Sequence, residues 1–263
     1  MWTPDAVRAE PVAYNRWAWD RSVEKGNRWT IGVLPEAIEA ARRGQPELVL
    51  TPKKPIPATW LEDLRGQQIL GLAAAGGQQG PLLAAAGARV TVMDISRLQL
   101  DRDVDLADTH GLELEIVEAD MTQGWPFETG RFDVVLHPSA NAFVPDVEHL
   151  WREAARVLRP RGELWAGFCQ PGALALDERA RAEGRFALHP RPYCDVDHAD
   201  DATLQFFIDR QDPVVWAHEL HAQLGGQLRA GFTLVDLYED VLDDVLVDRF
   251  LVGSMATRAW KAS

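Results

Sequence analysis

Between residues 66 and 169 short apolar runs alternate with amphipathic stretches, and this alternation constrains the fold more than any other feature of the chain. The runs fall at 68–73, 89–95, 112–117, 132–137 and 162–168. They carry too few polar residues to leave one face wet, so they read as strands of a parallel sheet covered by helices on both sides. The intervening stretches at 79–86, 97–110 and 147–158 have helical spacing. Gly111 closes the second and Arg159-Pro160 stops the third. Residues 214–229 read as a further helix despite Gly225-Gly226. Two more strands follow at 232–237 and 250–260. Their acidic link, 238–249, is too short for a parallel crossover, so the pair is expected to be antiparallel.

Two regions depart from this rhythm. Residues 1–65 hold five tryptophans (Trp2, Trp17, Trp19, Trp29, Trp60), a helical stretch at 35–43 with Ile38 and Ala41 on one side, and Pro46, Pro52, Pro55 and Pro57. They read as a helical lead-in or lid followed by an extended crossing. Residues 170–212, with Pro171, Pro190 and Pro192, read as an insertion over the carboxyl edge of the sheet. The expected division is therefore an N-terminal segment, 1–65, and a main domain, 66–263.

Charge narrows the partners. A net charge of −13 repels phosphate backbones, which argues against a nucleic-acid substrate. Cys169 and Cys194 lie in no CxxC or metal-ligand spacing and read as reduced thiols. Charges at Asp5, Arg8, Glu10, Arg16 and Asp20 leave no apolar signal-peptide core, and no uncharged apolar run reaches the ~18 residues of a membrane span. A cytoplasmic monomer or homodimer acting on a small molecule is expected.

The candidate site is the turn Gly71-Leu-Ala-Ala-Ala-Gly-Gly-Gln-Gln-Gly80. A strand that ends in small residues and leads into a helix is where α/β proteins take nucleotide-like ligands, because backbone can approach and helix N–H groups are free. Ala73, Ala75, Gly76 and Gly77 are the expected ligand-side residues. Asp94 ends the second strand, where a carboxylate can accept both ribose hydroxyls; capping the following helix is its alternative role. Asp120-Met121 follow the third strand on the same sheet edge. There Asp120 can accept from an adenine amino group, and Met121 can offer its N–H and an apolar contact.

These pieces resemble the class I S-adenosylmethionine-dependent methyltransferases. The carriers are the glycine turn, Val90-Thr-Val-Met-Asp-Ile-Ser96, Glu118-Ala-Asp-Met121, Phe132-Asp-Val-Val135 and Ala155-Arg-Val-Leu-Arg-Pro-Arg-Gly-Glu-Leu164. The resemblance implies a Rossmann-like seven-stranded sheet, mostly parallel, with an antiparallel last strand. It also implies S-adenosylmethionine as cofactor. The implied cofactor-binding residues are Gly71, Ala73, Ala75, Gly76, Gly77, Gln78, Gln79, Asp94, Ile95, Gln99, Asp120, Met121 and Pro138. One departure stands out. The family's turn is [DE]-x-G-x-G-x-G, and here Gly71 replaces the acid while Ala73 and Ala75 replace two glycines. Gln78 and Gln79 are expected to take over part of the lost polar role. Alanine suits negative φ, so only Gly76 or Gly77 is expected to need φ > 0.

Methyl transfer from a sulfonium is a direct displacement that needs alignment and a dry site. A weakly acidic acceptor would also need a base, for which His137 and Tyr193 are the candidates. Asn15, Trp19, Trp29, Asn141 and Tyr193 are the expected substrate-side residues, since aromatic faces attract a sulfonium. Asp195, Asp197, His198 and Asp200 read as a solvated acidic loop, and no metal is expected. Two other readings remain. One is an NAD(P)-dependent oxidoreductase or epimerase, in which Asp94 holds the NAD ribose. The other is a non-catalytic S-adenosylmethionine-binding protein.

Overall fold

The computed structural model describes residues 1–244 and 247–262. Helices α1 (Pro4–Ala9) and α2 (Pro11–Glu24) open the chain, and each begins on a proline, whose missing N–H is no loss in a first turn. Helix α3 (Pro35–Arg42) buries Ile38 and Ala41, as their spacing predicts. The proline-rich crossing that follows has only a bridge between Val49 and Pro55 and a 3-10 turn at Ala58–Trp60.

The alternating region then runs β1 (Gln68–Leu72), α4 (Gln79–Ala85), β2 (Arg89–Asp94), α5 (Arg97–His110), β3 (Leu114–Glu118), β4 (Phe132–His137), α6 (Val147–Val157) and β5 (Leu158–Cys169). Ser96 caps α5 at its start, and Gly111 closes it at φ 60°. The remainder is α7 (Pro171–Leu174), α8 (Glu178–Ala182), β6 (Tyr193–Cys194), α9 (Asp195–His198), α10 (Asp201–Arg210), β7 (Trp216–Ala217), α11 (Leu220–Arg229), β8 (Phe232–Asp240) and β9 (Ser254–Lys261).

Seven strands form one sheet in the order β3-β2-β1-β4-β5-β9-β8. The first five are parallel, and β9 runs antiparallel to both β5 and β8. Alternate residues feed two cores. Ile69, Val90, Val134 and Trp165 pack with α3, α4 and α5 on one face, while Leu70, Val135, Leu164 and Ala259 pack with α6 and Trp151 on the other. The crossing over the first core is possible because Gly167 has no side chain: a Cβ there would lie 2.7 Å from the carbonyl carbon of Leu50.

A third core joins the two ends of the roof. Val7, Tyr14 and Ala18 from α1 and α2 pack with Val196, Leu204 and Phe207 from the insertion and with Val214 and Trp216 just after it. Asn15 fastens them, donating to the carbonyls of Phe143 and Val214 and accepting from Val214 N.

The insertion contains regular elements: α10, capped by Asp200, and β6, which pairs with β7 just beyond residue 212. Residues 214–219 are extended, not helical. Asn15 and Asp195 accept from the backbone N–H groups of Val214 and Val215, the pairing of Trp216 and Ala217 with β6 holds the backbone extended, and α11 begins only at Leu220. The last strand begins at Ser254, four residues after the expected start, and the acidic link includes residues 245–246, which lie outside the described residues.

Candidate active site

A cavity of about 290 Å³ opens at the carboxyl ends of β1, β2 and β4, beneath α2 and the 3-10 turn Arg28–Thr30. The open edge of a parallel sheet is where helix N-termini and loops converge, which makes it the binding edge of such folds. Of the residues singled out from sequence, Ala73, Ala75, Gln78, Gln79, Asp94, Ile95, Gln99, Asp120, Met121, Pro138, Asn15, Trp19 and Trp29 border this cavity together.

The turn is built differently from expectation. Ala73 and Ala75 both have positive φ, 48° and 60°, alongside Gly77 at 72°, whereas Gly76 does not. An L-residue there costs roughly 1–2 kcal/mol, which the surroundings must offset. They do so from below: Ala73 N–H donates to Met93 O at 2.8 Å, and Gly76 N–H donates to the Gln99 side chain at 2.9 Å. Gly76 is glycine because of close approach, since a Cβ would lie 2.6 Å from Gln99 O. Gly77 N–H is bonded to the Asp103 carboxyl, which burial pushes up to about 8 against the pull of that bond. Gly71, Gly76 and Gly77 therefore lie behind the cavity wall, and the N–H groups of Gly76 and Gly77 serve the turn itself. Pro81, in the first turn of α4, removes one more donor.

Gln78 and Gln79 act as clips. Gln78 donates to the carbonyls of Arg28 and Ile31, and Gln79 accepts from Val49 N. They hold the N-terminal segment and the proline-rich crossing over the site. Asp94 sits at the rim with its carboxyl pushed up to about 6, chiefly by burial and further by the charge of Asp20; Ser96 and Ile95 N–H bonds oppose the rise. Asp20 also accepts from the Ser96 hydroxyl at 2.6 Å, so α2 is tied to the Asp94 loop. Asp94 thus holds its own loop and borders the cavity. A carboxylate has about four acceptor positions, which leaves capacity for a ribose diol. Asp120 accepts from Thr122 N, and Trp125 donates to Met121 O, which fixes the third strand's exit.

Beside the three glycines, three further candidates lie outside the cavity. His137 is fully buried; its Nδ1–H donates to Leu72 O at 2.9 Å, and burial lowers its pKa to about 4. It is a neutral core histidine, set edge-on to Trp151, and does not border the cavity. Asn141 is also buried, donating to Gly167 O and accepting from Gln223. Tyr193 donates to Asp195 and stacks on His189 in the insertion. The acidic loop is structural as well: Asp195 holds Tyr193 and Val215 N, and Asp200 caps α10. Sequence reasoning missed Thr51, Phe143, Val144 and Val215, which also border the cavity. No local pattern marks them; the crossing, the loop after β4 and the stretch before β7 bring them in from separate segments.

A mostly parallel seven-stranded sheet with an antiparallel hairpin at its end, carrying a carboxyl at the second strand's tip, defines a methyltransferase-type α/β fold. The profile of the family described as "Methyltransferase domain" matches residues 70–166. The chain belongs to the methyltransferase family: it is 39% identical over 251 residues to the uncharacterized methyltransferase YbaJ of Bacillus subtilis (strain 168), covering 95% of this chain and 98% of that one. Two solved structures share the fold. An S-adenosylmethionine dependent methyltransferase from Mesorhizobium loti matches with TM-score 0.58 at 18% identity, over 77% of this chain and 94% of that one. The Burkholderia thailandensis 1,6-didemethyltoxoflavin-N1-methyltransferase, solved with 1,6-didemethyltoxoflavin and S-adenosylhomocysteine, matches with TM-score 0.60 at 17% identity, over 100% of this chain and 92% of that one.

Proposed function

We propose that the chain transfers the methyl group of S-adenosylmethionine to a small molecule enclosed beneath α2 and the insertion. One observation carries the cofactor reading: the glycine turn keeps its amides for itself while Asp94 stands at the rim of the same cavity. A dinucleotide needs free turn N–H groups for its pyrophosphate. Here those of Gly76 and Gly77 are taken, and a carboxyl lies under the turn. The charged residues bordering the cavity are Asp94, Asp120 and Arg28, and Arg28 is already paired with Asp243 at 2.5 Å. Such a wall favours a ligand with a positive centre over one with two phosphates.

The bound cofactor supplies an electrophilic methyl on a sulfonium. Asp94 accepts the ribose hydroxyls. Ile95, Met121 and Ala119 offer apolar contact to the adenine, and Asp120 accepts from its amino group. Trp19, Trp29 and Phe143 exclude water and present aromatic faces to the positive sulfur. Residues 1–65 act as a lid, clipped by Gln78 and by the Asp20–Ser96 bond.

The test is to incubate the protein with tritiated-methyl S-adenosylmethionine and a bacterial cell extract, then separate low-mass solutes from protein and nucleic acid. Label is expected in the low-mass fraction and is lost with Asp94→Ala. Label confined to protein or nucleic acid overturns the small-molecule reading.

A further inference from the structure

Among the described residues, the acceptor side of the cavity is mostly apolar, and its side-chain donors are already engaged. Its wall is formed by Trp19, Phe143, Val144, Leu174, Val215 and Leu242. Trp19 and Phe143 meet edge to face with ring centroids 5.1 Å apart, a rigid aromatic corner. The polar side chains among them are already spent. Asn15 makes three bonds to the backbone. Thr51 donates to Asp240 at 2.8 Å, and Ser139 donates to Leu50 O at 2.9 Å. Arg28 is paired with Asp243 and lies over the Trp29 ring, 4.4 Å from its centroid. No histidine, tyrosine, lysine or glutamate borders the cavity among the described residues. Cys169 does, but burial holds its thiol protonated, with its pKa pushed up to about 11.

Two consequences follow. A carboxylate or phosphate set against these apolar side chains would be buried beside two carboxylates, Asp94 and Asp120, and a single guanidinium, Arg28, already paired with Asp243, and a poorly compensated buried charge is costly. A hydroxyl that ionises only at high pH would find no side chain to take its proton.

Resting on the methyl-transfer reading, we infer that the acceptor is a flat, apolar, uncharged ring compound whose nucleophilic atom carries an available lone pair at neutral pH, such as a heteroaromatic nitrogen. The step balances without a protein base. The nitrogen lone pair forms the bond to the methyl carbon as the carbon–sulfur bond breaks, and its electron pair stays on sulfur. The cationic ring then releases its N–H proton to solvent. The chain's part is to hold the ring against the Trp19–Phe143 corner and keep water out.

Calorimetric titration of the protein saturated with S-adenosylhomocysteine tests this, using benzimidazole and benzimidazole-5-carboxylate as probes matched in ring and nitrogen. Benzimidazole is expected to bind at least about tenfold more tightly than the carboxylate, the difference made by one poorly compensated buried charge. Trp19→Ala should weaken benzimidazole about tenfold. Leu174→Arg, which places a guanidinium in the wall, should narrow or reverse the preference. Equal or tighter binding of the carboxylate to the unaltered protein overturns the inference, as does failure of both probes to bind while S-adenosylhomocysteine binds. Failure of S-adenosylhomocysteine itself sinks the methyl-transfer reading instead, and the inference with it.

Discussion

Asp94 carries opposing demands at a single residue. Its carboxyl is raised from 3.8 to about 6, mainly by burial, so the folded chain holds that proton more tightly than the unfolded chain does. Stability therefore falls as pH climbs through the window from about 4 to 6. Above it the full penalty applies, on the order of 3 kcal/mol. Asp94→Asn removes the penalty, and the melting temperature of the ligand-free protein at pH 7 is expected to rise. The same change should cut S-adenosylhomocysteine affinity at least about tenfold, because an amide loses the carboxylate's acceptors. A lower melting temperature in ligand-free Asp94→Asn would refute the assignment of burial strain to this residue. Ala75, at φ 60°, makes a second residue-scale prediction. Glycine there usually destabilises, but at positive φ Ala75→Gly should stabilise by about 0.5–1 kcal/mol, read by urea unfolding. The position of Asp94 was legible because it ends an apolar run before a serine cap. The alanine strain was not, since φ there is set by Met93 and by Gln99 of α5 rather than by neighbouring residues.

Among the elements, the alternation of strands and helices between β1 and β5 was readable, because the central strands β1, β2 and β4 are largely buried on both faces and each helix ends at a recognisable stop. What escaped is decided by contacts between elements. Residues 214–217 are apolar with no period, and pairing of Trp216 and Ala217 with β6, beside bonds from Asn15 and Asp195, makes the stretch extended. The proline-rich crossing reaches the cavity only because β5 has a glycine beneath Leu50. Gly167→Ala should displace this crossing, since backbone and not a flexible side chain is in the way. A loss of about 3 kcal/mol or more is expected in urea unfolding, with weakened S-adenosylhomocysteine binding, because Val49, Leu50 and Thr51 border the site. A loss under about 1 kcal/mol would contradict the close crossing.

At the scale of the whole molecule, two distant stretches make one roof. The N-terminal helices bury Tyr14 and Ala18 against α10 and β7, and together they cover a cavity that the sheet alone would leave open. The sequence placed Asn15, Trp19 and Trp29 near the site through aromatic density. It did not reveal that the insertion is their packing partner, because a contact spanning some 200 residues leaves no local pattern. The central claim is that this roofed edge binds S-adenosylmethionine-type ligands and not dinucleotides. Calorimetric titration of the full chain with S-adenosylhomocysteine, and separately with NAD, tests it most directly. One equivalent of S-adenosylhomocysteine per chain should bind, with no heat from NAD and with binding lost in Asp94→Ala. Saturable binding of NAD without any response to S-adenosylhomocysteine would contradict the account.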